Sequence, residues 1–280
     1  MSVRWTRRRT HLLVAFLLSV TLYIFCGSLT PTLPSPRPRA STDLPPARSS
    51  VSSHGTSVPK PPTLTPTKYG DGAVEMVVAS MKRENITWLH NYLLDWKKNI
   101  YVVDDSTAEL TVPQNKGREA MVFLTYIINR YDSLPGNIFF HHAERFQWHN
   151  DNPDYDALTL LQRFRLQYLK EQGYANLRCD WALGCPSAIK PFVDKTEPEP
   201  GEGITAKHVY KESFEELFPG KEVPQTVAVP CCSQFAVRRE TVRKRPKADY
   251  IRYRQWLIES DLDDGLSGRV LEYAWHSELS

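Results

Sequence analysis

The sequence lacks a strong excess of charge of one sign. Its 35 Lys and Arg stand against 32 Asp and Glu, a net charge of +3 over 280 residues. Even that excess is local: residues 1–29 carry +4 and residues 30–70 another +4, so the other 210 residues sum to −5. A mildly acidic folded part offers no basic patch, which excludes nucleic acid as the expected partner. No G-x-x-x-x-G-K-[ST] and no G-x-G-x-x-G occurs, so neither a P-loop nor a dinucleotide fingerprint is present. There is no H-E-x-x-H, no G-x-S-x-G elbow and no internal repeat. Serine and thiol hydrolase chemistry therefore has no motif behind it. No C-x-x-C spacing occurs, which argues against a zinc site built from four thiolates.

What is present begins with an address. Arg7, Arg8 and Arg9 precede an apolar run from Leu12 to Cys26 that extends to Leu29. Arginines before the run and none close behind it predict a type II signal-anchor: residues 1–11 a cytoplasmic tail, 12–29 a membrane-spanning helix. A signal peptide cleaved near Cys26-Gly27-Ser28, leaving a secreted chain, is the alternative. Both readings place the remainder in the ER/Golgi lumen or beyond. Residues 30–70 hold Pro31, Pro34, Pro36, Pro38, Pro45, Pro46, Pro59, Pro61, Pro62 and Pro66 among Ser and Thr, with almost no large apolar side chain. Such a stem cannot bury enough surface to offset its ordering entropy, and its texture suits O-glycosylation. Asn85-Ile86-Thr87 is an N-glycosylation sequon. Cys179, Cys185, Cys231 and Cys232 allow three disulfide pairings. Adjacent Cys231 and Cys232 are expected to pair with Cys179 and Cys185 rather than with each other; free buried thiols are the other possibility.

Residues 71–280 read as a single α/β domain. Val74 to Ser80 is a buried strand, and Glu84-Asn85 opens a helix with Trp88, Leu89, Tyr92, Leu93 and Trp96 at helical spacing and Lys97-Lys98 in its last turn. Ile100 to Val103 is a second strand. A helix follows Asn115-Lys116-Gly117, with Ala120, Phe123, Leu124, Ile127, Ile128 and Tyr131 apolar, and Pro135-Gly136 stops it before a strand from Asn137 to Phe140. Strand–helix–strand–helix–strand predicts a mostly parallel, Rossmann-type sheet with flanking helices. A further helix is expected over 154–172, a helical turn over 214–218, a return to the sheet within 228–237, and helices over 250–258 and 267–279. In open parallel sheets a ligand sits beyond the strand carboxyl ends, here Ser80 to Arg83, Asp104 to Thr107 and His141 to Glu144.

Asp104 and Asp105 at a strand end can accept from a ribose or bind a metal, or simply start a loop. Gly117 permits a tight turn at a helix start, and Arg118 could grip a diphosphate bidentately. An ordinary helix start with Glu119 facing the dipole is the bland reading. His141, His142, Glu144 and His149 cluster around Trp148. A metal hydrolase is one reading of them; a structural or acceptor-contact role is the other.

The order strand–VDDST–loop–NKGREA–helix–strand resembles the nucleotide-binding half of GT-A glycosyltransferases. More closely, NKGREAMVFLTYIINRYDSLPGNIFFHH, CCSQFAVRRETVRKRP and SGRVLEYAWH are similar to a fungal-rich family of unknown function, with its N-x-G-R-E helix and Y-D-x-L-P tract. The resemblance covers residues 74–150 and 227–279. It implies a GT-A-like fold and a nucleotide-sugar donor held by Asp104, Asp105, Asn115, Gly117 and Arg118, with a glycan or lipid acceptor. It places Gln234-Phe235 near the cleft. GT-A enzymes carry Asp-x-Asp where this chain has His141-His142-Ala143-Glu144, so the resemblance implies a substituted Mn²⁺ site from His142, Glu144 and His276, or a domain that has lost its metal or its activity. Glu272, on the helix of His276, is the general base it implies. A non-catalytic descendant that binds glycans or partner transferases is the alternative.

Overall fold

A computed structural model describes residues 74–178 and 188–279, all within one compact unit. The expected tail, anchor and stem, and Cys179 and Cys185, lie outside the described residues. Among those described, no helix is long and apolar enough to cross a membrane. The element order is β1 (Val74–Ser80), α1 (Thr87–Tyr92), β2 (Lys97–Val102), α2 (Glu119–Arg130), β3 (Asn137–His142), α3 (Ala157–Arg163), α4 (Leu166–Gln172), β4 (Tyr174–Asn176), α5 (Ala206–Leu217), β5 (Phe235–Arg238), α6 (Arg239–Val242), α7 (Lys247–Glu259) and α8 (Asp264–Glu278).

The five strands form one open sheet in the order β2-β1-β3-β5-β4. β1 pairs in parallel with β2 and β3, whereas β5 runs antiparallel to both β3 and β4. The sheet is thus mixed: the parallel half matches the expectation from alternating strands and helices, and the antiparallel half begins where the chain returns after a long excursion. Alternation along the strands sends side chains to two cores. Val77, Ile138, Phe140, Phe235 and Val237 pack under α2, α5, α7 and α8. Val74, Met76, Val78, Phe139 and Ala236 pack under α1, α3 and α4. Each fully buried large side chain stabilises by about 1.5–3 kcal/mol relative to exposure.

Three local expectations need correction. Lys97 and Lys98 do not close the first helix. That helix ends at Tyr92, and Lys97 opens β2 opposite Glu75, with Nζ 3.1 Å from the Glu75 carboxylate. Glu75 is itself buried and also accepts from Asn99 Nδ2 (2.9 Å) and the Tyr126 hydroxyl (3.0 Å), so a buried carboxylate pulls the lysine into the sheet. The span 154–172 is not one helix but two, because Phe164 and Arg165 are extended (ψ 133 and 101); Tyr168 is exposed as a result. Phe214 to Leu217 is the end of the twelve-residue α5 rather than an isolated turn.

α8 lies close against the loop that starts α2. A Cβ on Gly268 would stand 2.9 Å from the Gly117 carbonyl oxygen, and one on Gly117 (φ +69) would stand 2.5 Å from Leu257 Cδ2. On propensity alone, alanine in a helix interior is better than glycine by about 0.5–1 kcal/mol. At position 268 the backbone contact outweighs this. Gly268→Ala is therefore expected to lower the thermal midpoint of the full-length chain; a rise would show that the close approach of α8 to the Gly117 loop is not maintained.

Candidate functional site

The carboxyl ends of β1, β2 and β3 share one edge of the sheet, as parallel pairing requires. Asp104 follows β2, and its Oδ1 accepts from the Lys82 amide at 2.8 Å, tying the ends of β1 and β2 together. Asp105 accepts from the Thr107 hydroxyl (2.6 Å) and amide (2.9 Å) and pairs with Lys82 Nζ at 3.1 Å. The Thr107 bonds, then Lys82, hold its carboxyl down at about 2. The acidic pair is thus engaged in shaping its own turn. Asn115 is exposed in the loop beyond.

Gly117 and Arg118 lead into α2 with positive φ, +69 and +53. For arginine this backbone region is disfavoured, and strain of this kind gathers at functional sites. The turn is fixed from three sides: Lys116 Nζ donates to the Ser260 carbonyl, the Gly117 amide donates to Asp264 Oδ1 (3.3 Å), and Gly268 lies against the Gly117 carbonyl. The turn sends the Arg118 side chain into a cleft of about 840 Å³ between the start of α8 and the start of α5. Arg118, Arg269, Thr205, Asp263, Asp264 and Leu266 line it. Asp263 Oδ1 accepts from the Leu266 amide (2.8 Å), so both acids serve as backbone acceptors. Arg269 pairs with Glu272 at 2.7 Å. No salt bridge or side-chain hydrogen bond ties Arg118 to another described residue. Asp104, Asp105 and Asn115 do not line this cleft, so the structure does not gather the five expected donor residues around one cavity.

Beside the cleft, at the end of β3, His142 stands between two acceptors. Its Nδ1 lies 3.0 Å from Glu119 Oε1 and its Nε2 2.7 Å from the Cys232 carbonyl. A neutral imidazole donates from one nitrogen only; two acceptors are satisfied together by the imidazolium. Burial pulls the His142 pKa down, but the Glu119 carboxylate, the carbonyl and Glu272 raise it overall. Burial pushes Glu119 up, but His142 chiefly holds it down, at about 2. Burial and then the positive charge of His142 press the neighbouring His149, with its ring 4.6 Å away, down to about 4. His141 points to the opposite face, as strand alternation requires. It is 1% exposed, edge-on to Trp88, and burial lowers it to about 3.

The expected cross-pairing of Cys231 and Cys232 is overturned, because the two are bonded to each other. Cys232 (φ 92) and Ser233 (φ 46) both lie in the left-handed region, and this reversal of the chain brings the adjacent sulfurs together. The same turn makes Cys232 a junction. Its amide donates to Glu272 Oε1 (2.7 Å), its carbonyl accepts from His142, and its Sγ lies 3.7 Å from Arg178 Nη1. Both bonds to Glu272, from Cys232 and Arg269, end on Oε1. Gln234, wholly buried, supports the far side by donating to Asn150 Oδ1 at 3.3 Å.

His142, Glu144 and His276 are not brought together. Glu144 is exposed and His276 sits in the last turn of α8. Among the described residues no three His, Cys, Asp or Glu side chains are placed to share a metal ion. With both nitrogens of His142 occupied, the set does not fit Mn²⁺ as it stands. Arg269 and Arg178 carry no signal in the sequence, and Cys232 shows there only as a disulfide partner. Glu119 carries a visible signal, as an acid at the first position of a helix beside Arg118.

The His142–Glu119 pair dictates a pH dependence. Glu119 is depressed, so its contribution is complete above its ordinary 4.5 and fades as pH falls toward about 2. His142 is raised, so its contribution is complete below its ordinary 6.5 and fades as pH rises through the raised value. Glu119→Gln is therefore expected to lower the thermal midpoint most between pH 4.5 and 6.5, with the deficit shrinking in alkali. Melting curves of both proteins across pH check this; a deficit independent of pH would contradict the ion pair.

No curated protein and no solved structure matches the chain. Residues 76–279 match the family described as Protein of unknown function (DUF3431), a span that takes in every strand beyond the first two residues of β1, the Arg118 cleft and the His142–Cys232 junction. The chain is a member of the DUF3431 family.

Proposed function

We propose that this domain transfers a sugar from a nucleotide-sugar donor to a glycan or lipid acceptor, in the manner of the GT-A glycosyltransferases that its strand–VDDST–NKGREA–strand order resembles. The observation that carries the reading is Arg118: a non-glycine residue held at φ +53, its guanidinium sent into a cleft with no described partner. Arg269 lies in the same cleft, and two guanidiniums beside the opening turn of α8 suit a diphosphate. In the transfer step an acceptor hydroxyl oxygen bonds to the anomeric carbon. The bond from that carbon to the diphosphate breaks, and its electron pair leaves with the nucleoside diphosphate. The hydroxyl proton passes to a base. Glu272 is the proposed base: its Oε1 is fixed by Cys232 and Arg269, while its Oε2 has no described partner. Asp104 and Asp105, past the end of β2, do not line this cleft and are proposed to meet the nucleoside where it extends beyond it. The resemblance and the N-terminal address support a type II membrane protein of the Golgi.

A second reading, a glycan-binding domain without transfer chemistry, is favoured by one observation. The charges beside the cleft neutralise one another, Glu119 with His142 and Arg269 with Glu272. Calorimetry of the full-length chain with UDP- and GDP-sugars, with and without Mn²⁺, separates the two. A charge-assisted contact to phosphate contributes about 1.5–3 kcal/mol. Arg118→Ala is thus expected to weaken donor binding by at least about tenfold while the unliganded thermal midpoint stays in place. A lower midpoint with unchanged donor affinity would make Arg118 structural. No donor binding by the intact chain would leave the non-catalytic reading.

A further inference from the structure

The segment between β3 and α3 is bound together by polar contacts, yet it holds large rings out to solvent. Asn150, 1% exposed, donates from Nδ2 to the carbonyls of Arg145 and Tyr155, both at 2.8 Å. Arg145 clasps Asp156 through two bonds of 2.7 Å. Asn152 both accepts from the Asp156 amide (2.7 Å) and donates to its carbonyl (3.1 Å). A segment fixed this firmly has no need to expose apolar surface through disorder, yet Trp148 is 48% and Tyr155 52% exposed. Tyr155 stands at φ +53, a costly conformation for a bulky aromatic. Behind Trp148 lies Arg178, 6% exposed, with its guanidinium 5.3 Å from the indole centroid and Nη1 donating to the Trp148 carbonyl at 2.9 Å. The indole is thereby stacked from one side and kept in place.

Trp148, Tyr155 and Arg178 line a cleft of about 420 Å³ whose other walls are Asn150, Asp151, Asn152 and Pro153. We propose that this cleft is a pyranose-binding subsite, with Trp148 as its stacking platform. A pyranose has a C–H face that suits the negative π-face of an indole and a rim of hydroxyls that needs donors and acceptors. The cleft supplies the ring face from Trp148 and, for the hydroxyls, the acceptor oxygens of Asp151 and Asn152, within the size range of small-ligand pockets. Aromatic rings parted by Asn and Asp side chains do not make the continuous apolar patch that a protein partner buries.

The location gives the sugar a role. From Trp148 the ring of His149 is 4.3 Å away, from His149 that of His142 is 4.6 Å, and His142 is paired with Glu119, the neighbour of Arg118. Arg178 touches the Cys232 sulfur, whose amide holds Glu272. The subsite therefore lies across the His142–Cys232 junction from the Arg118 cleft. Its role as the acceptor site rests on the transfer reading above; its affinity for sugar does not.

Saturation-transfer-difference NMR of the full-length chain with methyl α- and β-glycosides of glucose, galactose, mannose and N-acetylglucosamine tests the subsite. At least one glycoside is expected to bind. Trp148→Ala is expected to weaken it at least about tenfold while leaving the thermal midpoint and UDP affinity unchanged. Should Trp148→Ala fail to fold, Tyr155→Ala decides with the same readout. No binding by any of these glycosides, or binding indifferent to the substitution, overturns the proposal. UDP and GDP titrated into the same samples separate the two readings. Glycoside binding through Trp148 with neither nucleotide bound keeps the subsite and removes the transferase; nucleotide binding without glycoside binding does the reverse.

Discussion

The site depends on one doubly bonded imidazole. His142, at the carboxyl end of β3, reaches Glu119 of α2 with one nitrogen and the Cys232 carbonyl with the other. Three segments far apart in sequence are thereby held by a single charged ring. Because the ring is largely buried and both neighbours are acceptors, the arrangement needs the proton on each nitrogen; losing one leaves a buried acceptor unsatisfied, a cost of about 1–3 kcal/mol. Cys232 extends the junction to Glu272 on α8 and to Arg178 behind Trp148. Two clefts that share no lining residue are thus referred to the same few atoms.

Packing supplies the rest of the positioning. Gly268 lets α8 approach the Gly117 carbonyl, and that approach sets Arg118 and the first turn of α8 on opposite walls of one cleft. Arg269 and Glu272 follow on the same helix, three residues apart and bonded to each other. The cleft is built on the turn before α2 and the opening segments of α5 and α8. Its shape follows from the hydrophobic layer of α2, α7 and α8 against the sheet.

How much of this was legible depended on the range of the interaction involved. Buried runs such as VEMVVAS and NIFF, and the apolar face of α2, are local patterns, and β1, α2 and β3 lie where those patterns put them. Lys97 was misplaced because its partner, Glu75, lies 22 residues away and a helical spacing of aromatic residues continued up to it. β4 has three residues, too short for any period to show. A bond between adjacent cysteines strains an ordinary extended peptide, whereas the chain takes left-handed values at Cys232 and Ser233. Arg118 stands out in the sequence as a candidate from its glycine and helix start. Its cleft is not legible there, since α5 and α8 supply the other walls from 88 (206 − 118) and more residues further along the chain. Trp148 was seen as part of a histidine cluster, but its exposure is a property of the folded segment around Asn150.

The account turns on the charge state of His142, and the side-chain ¹⁵N chemical shifts of its imidazole in the full-length chain, assigned by loss of the signals in His142→Gln, report it directly. Two protonated ring nitrogens in most of the population at the ordinary 6.5, with deprotonation above it, is the result predicted. A neutral ring carrying one proton at neutral pH and titrating below 6.5 would contradict the junction on which both clefts depend.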